Sequence, residues 1–292
     1  SSLFDRVFTL RMLWLKFLKQ VNECQFVIAV RGQLNKGALH LKSRRKQIGV
    51  FILAKTGLLN DLRWHATNRL ERKSIVSYIF PKLGKKNIPQ VVLAEPFNAV
   101  DVNLTNRWKP RQPGTGLRIV LVGRVSKMKN IRAAIRVLHS MKQPAVLSIF
   151  GPIEDRLYYR ECLDDIAAYS AESKVVFGGA LAPEEVPEQI TTYDVFFLPT
   201  FGENYGHAIE EGLNAGLPVV LSDKTPWGHV VGANVGWSFS LDNEKAMADQ
   251  LDALALLADV EMMELHTKAS TYIRALVDSD ITQKQHEQLF QC

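Results

Sequence analysis

Long hydrophobic runs are missing from this 292-residue chain. No stretch of about 18 uncharged apolar residues occurs, which excludes a membrane-spanning helix. The first twenty residues have apolar positions, but Asp5, Arg6, Arg11, Lys16 and Lys19 interrupt them, and this argues against a signal peptide. An initiator Met is also absent, so the chain is expected to start inside a longer protein. Cysteine is scarce: Cys24, Cys162 and Cys292 are far apart and odd in number. No disulfide framework and no redox or metal pair follows from them, and a reducing, cytoplasmic setting fits best. No GxGxxG follows a strand and no GxxxxGK[ST] occurs, which argues against a dinucleotide site and a P-loop. The seven histidines are scattered, without HExxH or a two-His/carboxylate cluster, so no metal site is expected. Internal repeats and low-complexity segments are missing too.

What is there is ordinary in bulk and uneven in detail. Hydrophobic residues make up 47% and charged residues 23%, as in a globular protein long enough for two domains. The net charge of +6 hides a split. Residues 1–116 carry 21 Lys+Arg against 6 Asp+Glu, and the remainder carries 15 against 24. A basic first half points to an anionic partner.

Along residues 4–20, Phe4, Phe8, Met12, Leu15 and Leu18 recur at helical spacing between basic residues, predicting an amphipathic helix. Short strands are expected at Gln25–Val30, Leu62–Ala66 and Val91–Ala94. Helices are expected over Ala38–Leu59 and from Thr67, as N-cap, to about Ile79. This β-α-β-α-β layer covers residues 1–95, short of the ~150 residues of a full open α/β domain, so the first domain reads as incomplete. Residues 96–116, with Pro96, Pro110, Pro113, Gly114 and Gly116, read as a linker.

Residues 117–280 are more regular. Strands are predicted at Leu117–Val122, Ala145–Phe150, Lys174–Phe177, Val195–Pro199 and Pro218–Ser222. Helices at Ile131–Met141, Asp155–Tyr169, Pro183–Thr191 and Tyr205–Ala215 alternate with them, with Pro183 in a first turn and Gly216 as the C′ residue. Three helices follow, near 243–257, 260–276 and 282–290, the last within a terminal segment 281–292 expected to pack back on the first domain. Apolar strands alternating with helices mean a parallel sheet covered on both faces.

Ligands bind at the carboxyl ends of such strands. There the sequence places Gly123, Arg124 and Lys129 after one strand, and Glu203, Asn204, Tyr205, Gly206 and His207 after another, with Glu211 in the helix that follows. Two cations before a helix suit a phosphate. Gly206 admits close approach at a helix start. Glu203 and Glu211 only accept hydrogen bonds and suit sugar hydroxyls. A diphosphate flanked by two polyols is a sugar nucleotide. Trp227 reads as a packing residue closing the last loop.

GRVSKMKNI (123–131), the E-x7-E spacing of Glu203 and Glu211, and SDKTPW (222–227) resemble the carboxy-terminal domain of retaining glycosyltransferases of the GT-B fold, family 4, glycosyl transferases group 1. AVRGQLNKGALHLK and RWHAT extend the resemblance into the first half. It implies two Rossmann-like domains, the first lacking its amino-terminal part. It further implies that Arg124 and Lys129 hold the donor diphosphate as leaving group, Glu203 contacts the donor sugar and Glu211 the ribose. Asn204, Tyr205, Gly206 and His207 would form the donor loop.

The implied reaction moves a sugar from a nucleoside-diphosphate co-substrate to a saccharide or lipid-linked saccharide acceptor, in polysaccharide or glycolipid biosynthesis. Neither metal nor other cofactor is implied, and no nucleic-acid partner. The basic first half is expected to dock on an anionic inner membrane face. Asn130 departs from the pattern, standing where the family usually has Gly. A GT-B-like sugar-nucleotide epimerase and a non-catalytic nucleotide-binding fragment are the alternatives.

Overall fold

The computed structural model describes residues 8–18, 20–21, 26–34, 48–83, 90–94, 107–112, 114–168, 173–277 and 280–290. The backbone divides into two units, residues 1–97 with 279–292, and residues 98–278.

In the first unit, β1 (Phe26–Ala29), β2 (Leu62–Ala66) and β3 (Gln90–Leu93) form a parallel sheet in that order. Trp64, Ile75, Ile79, Leu13 and Val50 pack its core. Helix α1 runs over Thr9–Phe17 and buries Thr9 and Leu13. The expected apolar stripe is therefore rotated: Phe8 and Leu18 at its ends are exposed, and Trp14 and Phe17 join them outside. The predicted 38–59 helix is seen as α2 over 48–55, with turns at 56–61; residues 38–47 lie outside the described set.

Helix α3 (Arg69–Tyr78) corrects the expected cap. Asn68, not Thr67, is the N-cap, and its Oδ1 accepts from the Glu71 amide at 2.8 Å. Asn68 and Glu71 thus stand at the three-residue spacing of a capping box. The buried Glu71 carboxylate accepts from Thr67 N (2.8 Å), Thr67 Oγ1 (2.7 Å) and Gly32 N (2.6 Å), tying the loops after β1 and β2 together. Arg63 in β2 donates to the carbonyls of Gln288 and Leu289, which fixes helix α10 (Asp280–Phe290) in this unit.

The second unit holds β4 (Leu117–Val122), β5 (Ala145–Phe150), β6 (Lys174–Gly179), β7 (Val195–Leu198), β8 (Val219–Ser222) and β9 (Gly236–Phe239). All pairs are parallel, in the order β6-β5-β4-β7-β8-β9. Counted within the unit this is 3-2-1-4-5-6, a doubly wound sheet whose direction of winding reverses between β4 and β7. Strand β7 is buried at every position, as expected for a strand covered on both faces. The sequence reading missed β9. GWSF is four residues long and fully buried only at its first position, and it lies at the sheet edge, so it has little apolar signal.

Helices α4 (Ile131–Ser140), α5 (Arg156–Ala167), α7 (His207–Asn214), α8 (Glu244–Ala255) and α9 (Asp259–Val277) lie near their expected places. Asp155 caps α5 by accepting from the amides of Leu157 and Tyr158. Helix α6 (Val186–Ile190) starts later than expected: residues 183–185 form a turn closed by Ala182 N donating to the Glu185 carboxylate, and Pro187 occupies the first turn. Helix α7 ends in a Schellman motif, with Gly216 at φ 84°, Gly216 N donating to Leu213 O and Leu217 N to Gly212 O.

Below the sheet, at the amino end of β7, Asp194 is fully buried. It accepts from Trp108 Nε1 at 2.7 Å and from Arg118 Nη2 at 2.6 Å, so the buried charge is paired and its lone pairs are used. Residues 107–112, read from the sequence as linker, lie on this unit through buried Trp108 and through Arg111, which donates to Ala255 O and Leu257 O. Cys162 is buried, and desolvation pushes its thiol up to about 12, which makes it inert.

Candidate active site

The reversal between β4 and β7 opens the crevice in which a doubly wound sheet binds its ligand. The loops leaving β4 and β7 both end there. They are joined by backbone: Phe201 N donates to Met128 O at 2.9 Å, and Thr200 Oγ1 shares that carbonyl at 2.9 Å. Asn130 Nδ2 donates to Pro199 O at 2.9 Å. The loop after β8 joins them, with Ser222 Oγ donating to Thr200 O (2.6 Å) and Glu203 N to Lys224 O (3.2 Å).

Into this frame the sequence delivers one close pair. Lys129 Nζ donates to Glu203 Oε1 at 2.7 Å, with both side chains largely withdrawn from solvent. Lys129 ends a single turn of 3-10 helix, and Gly123 makes room for its stem. A Cβ at 123 would stand 2.9 Å from Lys129 Cε. Gly151 performs the same service for the next loop, where a Cβ would meet Gly123 O at 2.1 Å. Asn130, the expected departure from the resembled pattern, has φ 54°. It is a left-handed position, which Asn tolerates better than most residues with a side chain.

Arg124 is placed differently. It is exposed and donates to Glu154 on the loop after β5 at 2.7 Å. The pair closes a contact between loops that the Val125–Ile153 bridge also makes.

The predicted donor loop surrounds the start of α7. Gly206 is the N-cap at φ 92°, a conformation that favours glycine. A Cβ there would also meet Ile209 Cδ1 at 2.9 Å and Trp227 Nε1 at 3.2 Å. Helix α7 therefore begins at His207, two residues later than expected. Asn204 and Tyr205 are half-buried beside it. The Tyr205 ring stands edge-on to Trp227 (5.5 Å) and tilted against His207 (5.0 Å).

His207 Nδ1 lies 3.7 Å from Glu210 Oε2. The Glu210 partner raises the imidazole above its ordinary value, and the charges of Glu211 and Glu203 add to the effect against desolvation. Glu211 is half-buried; desolvation pushes its carboxyl up, His207 pulls it down and Glu210 pushes it up again. Helix α7 and the Lys129–Glu203 pair thus form one cluster of alternating charge. Among the described residues no group of three His, Cys, Asp or Glu side chains is arranged to hold a metal ion.

Sequence reasoning missed the supports. Ser222 and Asn130 hold the β7 loop from either side, and Glu210 is the buried partner of His207. Asn130 alone carried a local signal, as a capping residue type directly before an amphipathic helix.

Comparison with known proteins gives a consistent result. WcaL of Escherichia coli strain K12, named as a glycosyltransferase of colanic acid biosynthesis, is 26% identical over 215 residues, covering 70% of this chain and 51% of its own. Its Salmonella typhimurium namesake is 25% identical over 206 residues, covering 66% of this chain and 48% of its own. The chain thus spans about half the length of the curated relatives it matches. Among solved structures, Anabaena HepE in complex with UDP and glucose superposes with TM-score 0.72 at 17% identity, over 97% of this chain and 76% of that one. Sucrose-phosphate synthase of Thermosynechococcus elongatus gives 0.73 at 18% identity, over 95% and 70%. WaaG, a glycosyltransferase of lipopolysaccharide biosynthesis, gives 0.65 at 14%, over 98% and 83%. The fold is GT-B, and since the profile of the Glycosyl transferases group 1 matches residues 102–274, the chain belongs to that family of glycosyltransferases.

Proposed function

We propose that this chain carries the donor half of a retaining, metal-independent glycosyltransferase that takes a hexosyl group from a nucleoside-diphosphate sugar. The observation that carries the reading is the Lys129–Glu203 pair at the reversal point of the sheet. A cation and a carboxylate held at 2.7 Å offer one partner for a diphosphate oxygen and one for a sugar hydroxyl, side by side. HepE, whose structure contains UDP and glucose, supports the ligand class.

In this reading the donor separates the pair. Lys129 turns to the β-phosphate, joined by Arg124, which exchanges its exposed bond to Glu154 for the ligand. Glu203 takes a hydroxyl of the sugar and orients it, and Glu211 takes the ribose. The bond from the glycosidic carbon to the phosphate oxygen then breaks, and the carbon becomes oxocarbenium-like. The electron pair stays on the diphosphate, where Lys129 and Arg124 stabilise it. The acceptor oxygen bonds to the same face of the carbon, and its proton passes to the departing phosphate. The product has a retained anomeric centre, and a nucleoside diphosphate leaves.

The acceptor is a saccharide or a lipid-linked saccharide of a cell-surface polysaccharide, a class supported by the naming of WcaL for colanic acid. Docking on the anionic inner face of a membrane would bring the first unit to such an acceptor. The basic balance of residues 1–116 and the exposed aromatic residues of α1 support it.

The test is calorimetry with UDP, GDP and ADP, followed by product analysis of donor turnover with and without acceptor. Binding of one nucleoside diphosphate, with loss of transfer by about 10²–10³-fold in Lys129→Ala, is expected. Wild-type transfer in both Lys129→Ala and Glu203→Ala would overturn the mechanism, and an inverted anomer would overturn the stereochemistry.

A further inference from the structure

We propose that Trp227 is the positioning residue of the donor loop: its indole N–H sets the Tyr205 carbonyl and, through it, the left-handed turn at Gly206. The inference rests on the functional reading above only for which ligand the loop receives.

Trp227 is almost wholly buried, yet it lies on the loop after β8, outside the regular elements. Its Nε1 donates to Tyr205 O at 2.6 Å, and its ring meets the Tyr205 ring edge-on at 5.5 Å. The same Nε1 lies against the space a Cβ would need at Gly206. One side chain therefore fixes the residue before the N-cap by carbonyl and by ring, and fills the volume beside the N-cap itself. The direction in which the first amides of α7 point follows from that turn.

Trp227 is itself held from behind. His229 packs on it at 5.3 Å and bonds through Nδ1 to the Tyr272 hydroxyl of α9, and α9 packs on α7. The aromatic row His207, Tyr205, Trp227, His229, Tyr272 links the start of α7 to α9. A flexible loop would lose its geometry when the donor is absent; this row keeps it preformed, which reduces the ordering cost on binding.

The second unit contains its own control. Trp108 is also buried and also donates its indole N–H, to Asp194 at 2.7 Å, but at the amino end of β7, away from the site. Trp227→Phe and Trp108→Phe each remove one indole N–H bond, the first to a backbone carbonyl in the loop after β7 and the second to a carboxylate just before that strand. Both are expected to lower Tm. Only Trp227→Phe is expected to speed amide exchange over residues 205–208 about tenfold and to raise the Kd for the nucleoside diphosphate about tenfold (~1.4 kcal/mol), with kcat little changed. Equal exchange at 205–208 in the two variants would overturn the proposal. If the wild-type chain binds no nucleoside diphosphate, the donor reading falls, while the exchange comparison still decides the placement of the loop.

Discussion

Lys129 Nζ donates to Glu203 Oε1 at 2.7 Å, across two loops that leave neighbouring strands β4 and β7. The two residues are 74 positions apart in the chain and meet only because the sheet reverses its winding there. With both side chains mostly out of solvent, removing one leaves the other without its closest charge. A double-mutant cycle of Lys129→Met and Glu203→Gln, read by denaturant unfolding, is expected to show a coupling of about 0.5–3 kcal/mol. Strict additivity would mean that the pair is incidental.

Glu211 gives a prediction of opposite sign for stability and for binding. Its folded-state pKa is raised by desolvation, so the favourable contribution of its protonated form is complete below pH 4.5 and is lost as pH rises through the folded value. At pH 7 the ionised carboxyl therefore destabilises the unliganded protein. Glu211→Gln is expected to raise Tm at pH 7, with the gain vanishing toward pH 4.5, and to weaken nucleoside diphosphate binding by at least tenfold. A lower Tm at pH 7 would contradict the desolvation account.

His207 is raised as well, but by a partner and not by desolvation, so its stabilising contribution belongs to the charged form. Glu210 holds the imidazole proton, so the folded value lies above 6.5. Its stabilising contribution is full below pH 6.5 and is lost as pH rises through the folded value. The same proton adds positive charge at the start of α7. Calorimetry with UDP from pH 6 to 8.5 is expected to show affinity falling over this interval, and His207→Gln is expected to remove the dependence. An unchanged profile in His207→Gln would place the titrating group elsewhere.

Gly206→Ala meets two obstacles, φ 92° and contacts at 2.9 and 3.2 Å. Strain at such a position amounts to about 1–3 kcal/mol. Tm should fall by roughly 2–4 °C per kcal/mol, and donor binding should weaken as well. Gly202, which also lies in this loop but has nothing within 4 Å of a built Cβ, serves as the tolerant control.

The first unit carries the membrane prediction. On α1, Phe8, Trp14 and Phe17 are exposed, and on α2, Ile48, Phe51 and Ile52. Lys55 Nζ stands over the Phe51 ring at 5.7 Å. Aromatic and apolar side chains among cations fit the headgroup layer of an anionic membrane, at about 1 kcal/mol for each Lys or Arg near the surface. Flotation with anionic vesicles at low salt should carry the chain upward, neutral vesicles should not, and Trp14→Ser with Phe51→Ser should abolish it. Equal flotation with neutral and anionic vesicles would exclude the charge-based part of this proposal.

Much of the second unit was legible because its local signals agree. Leu117–Val122 and Ala145–Phe150 are apolar runs followed by glycine, and the structure ends both strands at those residues. Gly216 closes α7 as expected. Strand β9 was not legible, because an edge strand with one buried position has no run to read. Thr67 was mistaken for Asn68 because both are capping types, and only the Glu71 spacing separates them. Within the site, the residue types pointed to a diphosphate and to polyols, but not to which groups would touch. The Lys129–Glu203 contact depends on strand order, and Trp227 depends on where a loop folds over. Neither is encoded in any local spacing.

The stitching of the loops has a consequence for how such a site changes over time. Phe201 to Met128, Glu203 to Lys224, Gly123 to Phe150 and Gly151 to Gly179 are all amide-to-carbonyl bonds, which any residue type but proline can make. Part of the scaffold of the crevice is thus independent of the side chains it displays, while Asn130, Ser222, Thr200 and the two glycines hold the rest. A lineage can replace the displayed groups that take no part in this frame one at a time, without having to rebuild the loops at each step. Chains that share 17% of their residues and still superpose at a TM-score of 0.72 are what such a separation of frame from contents would leave behind.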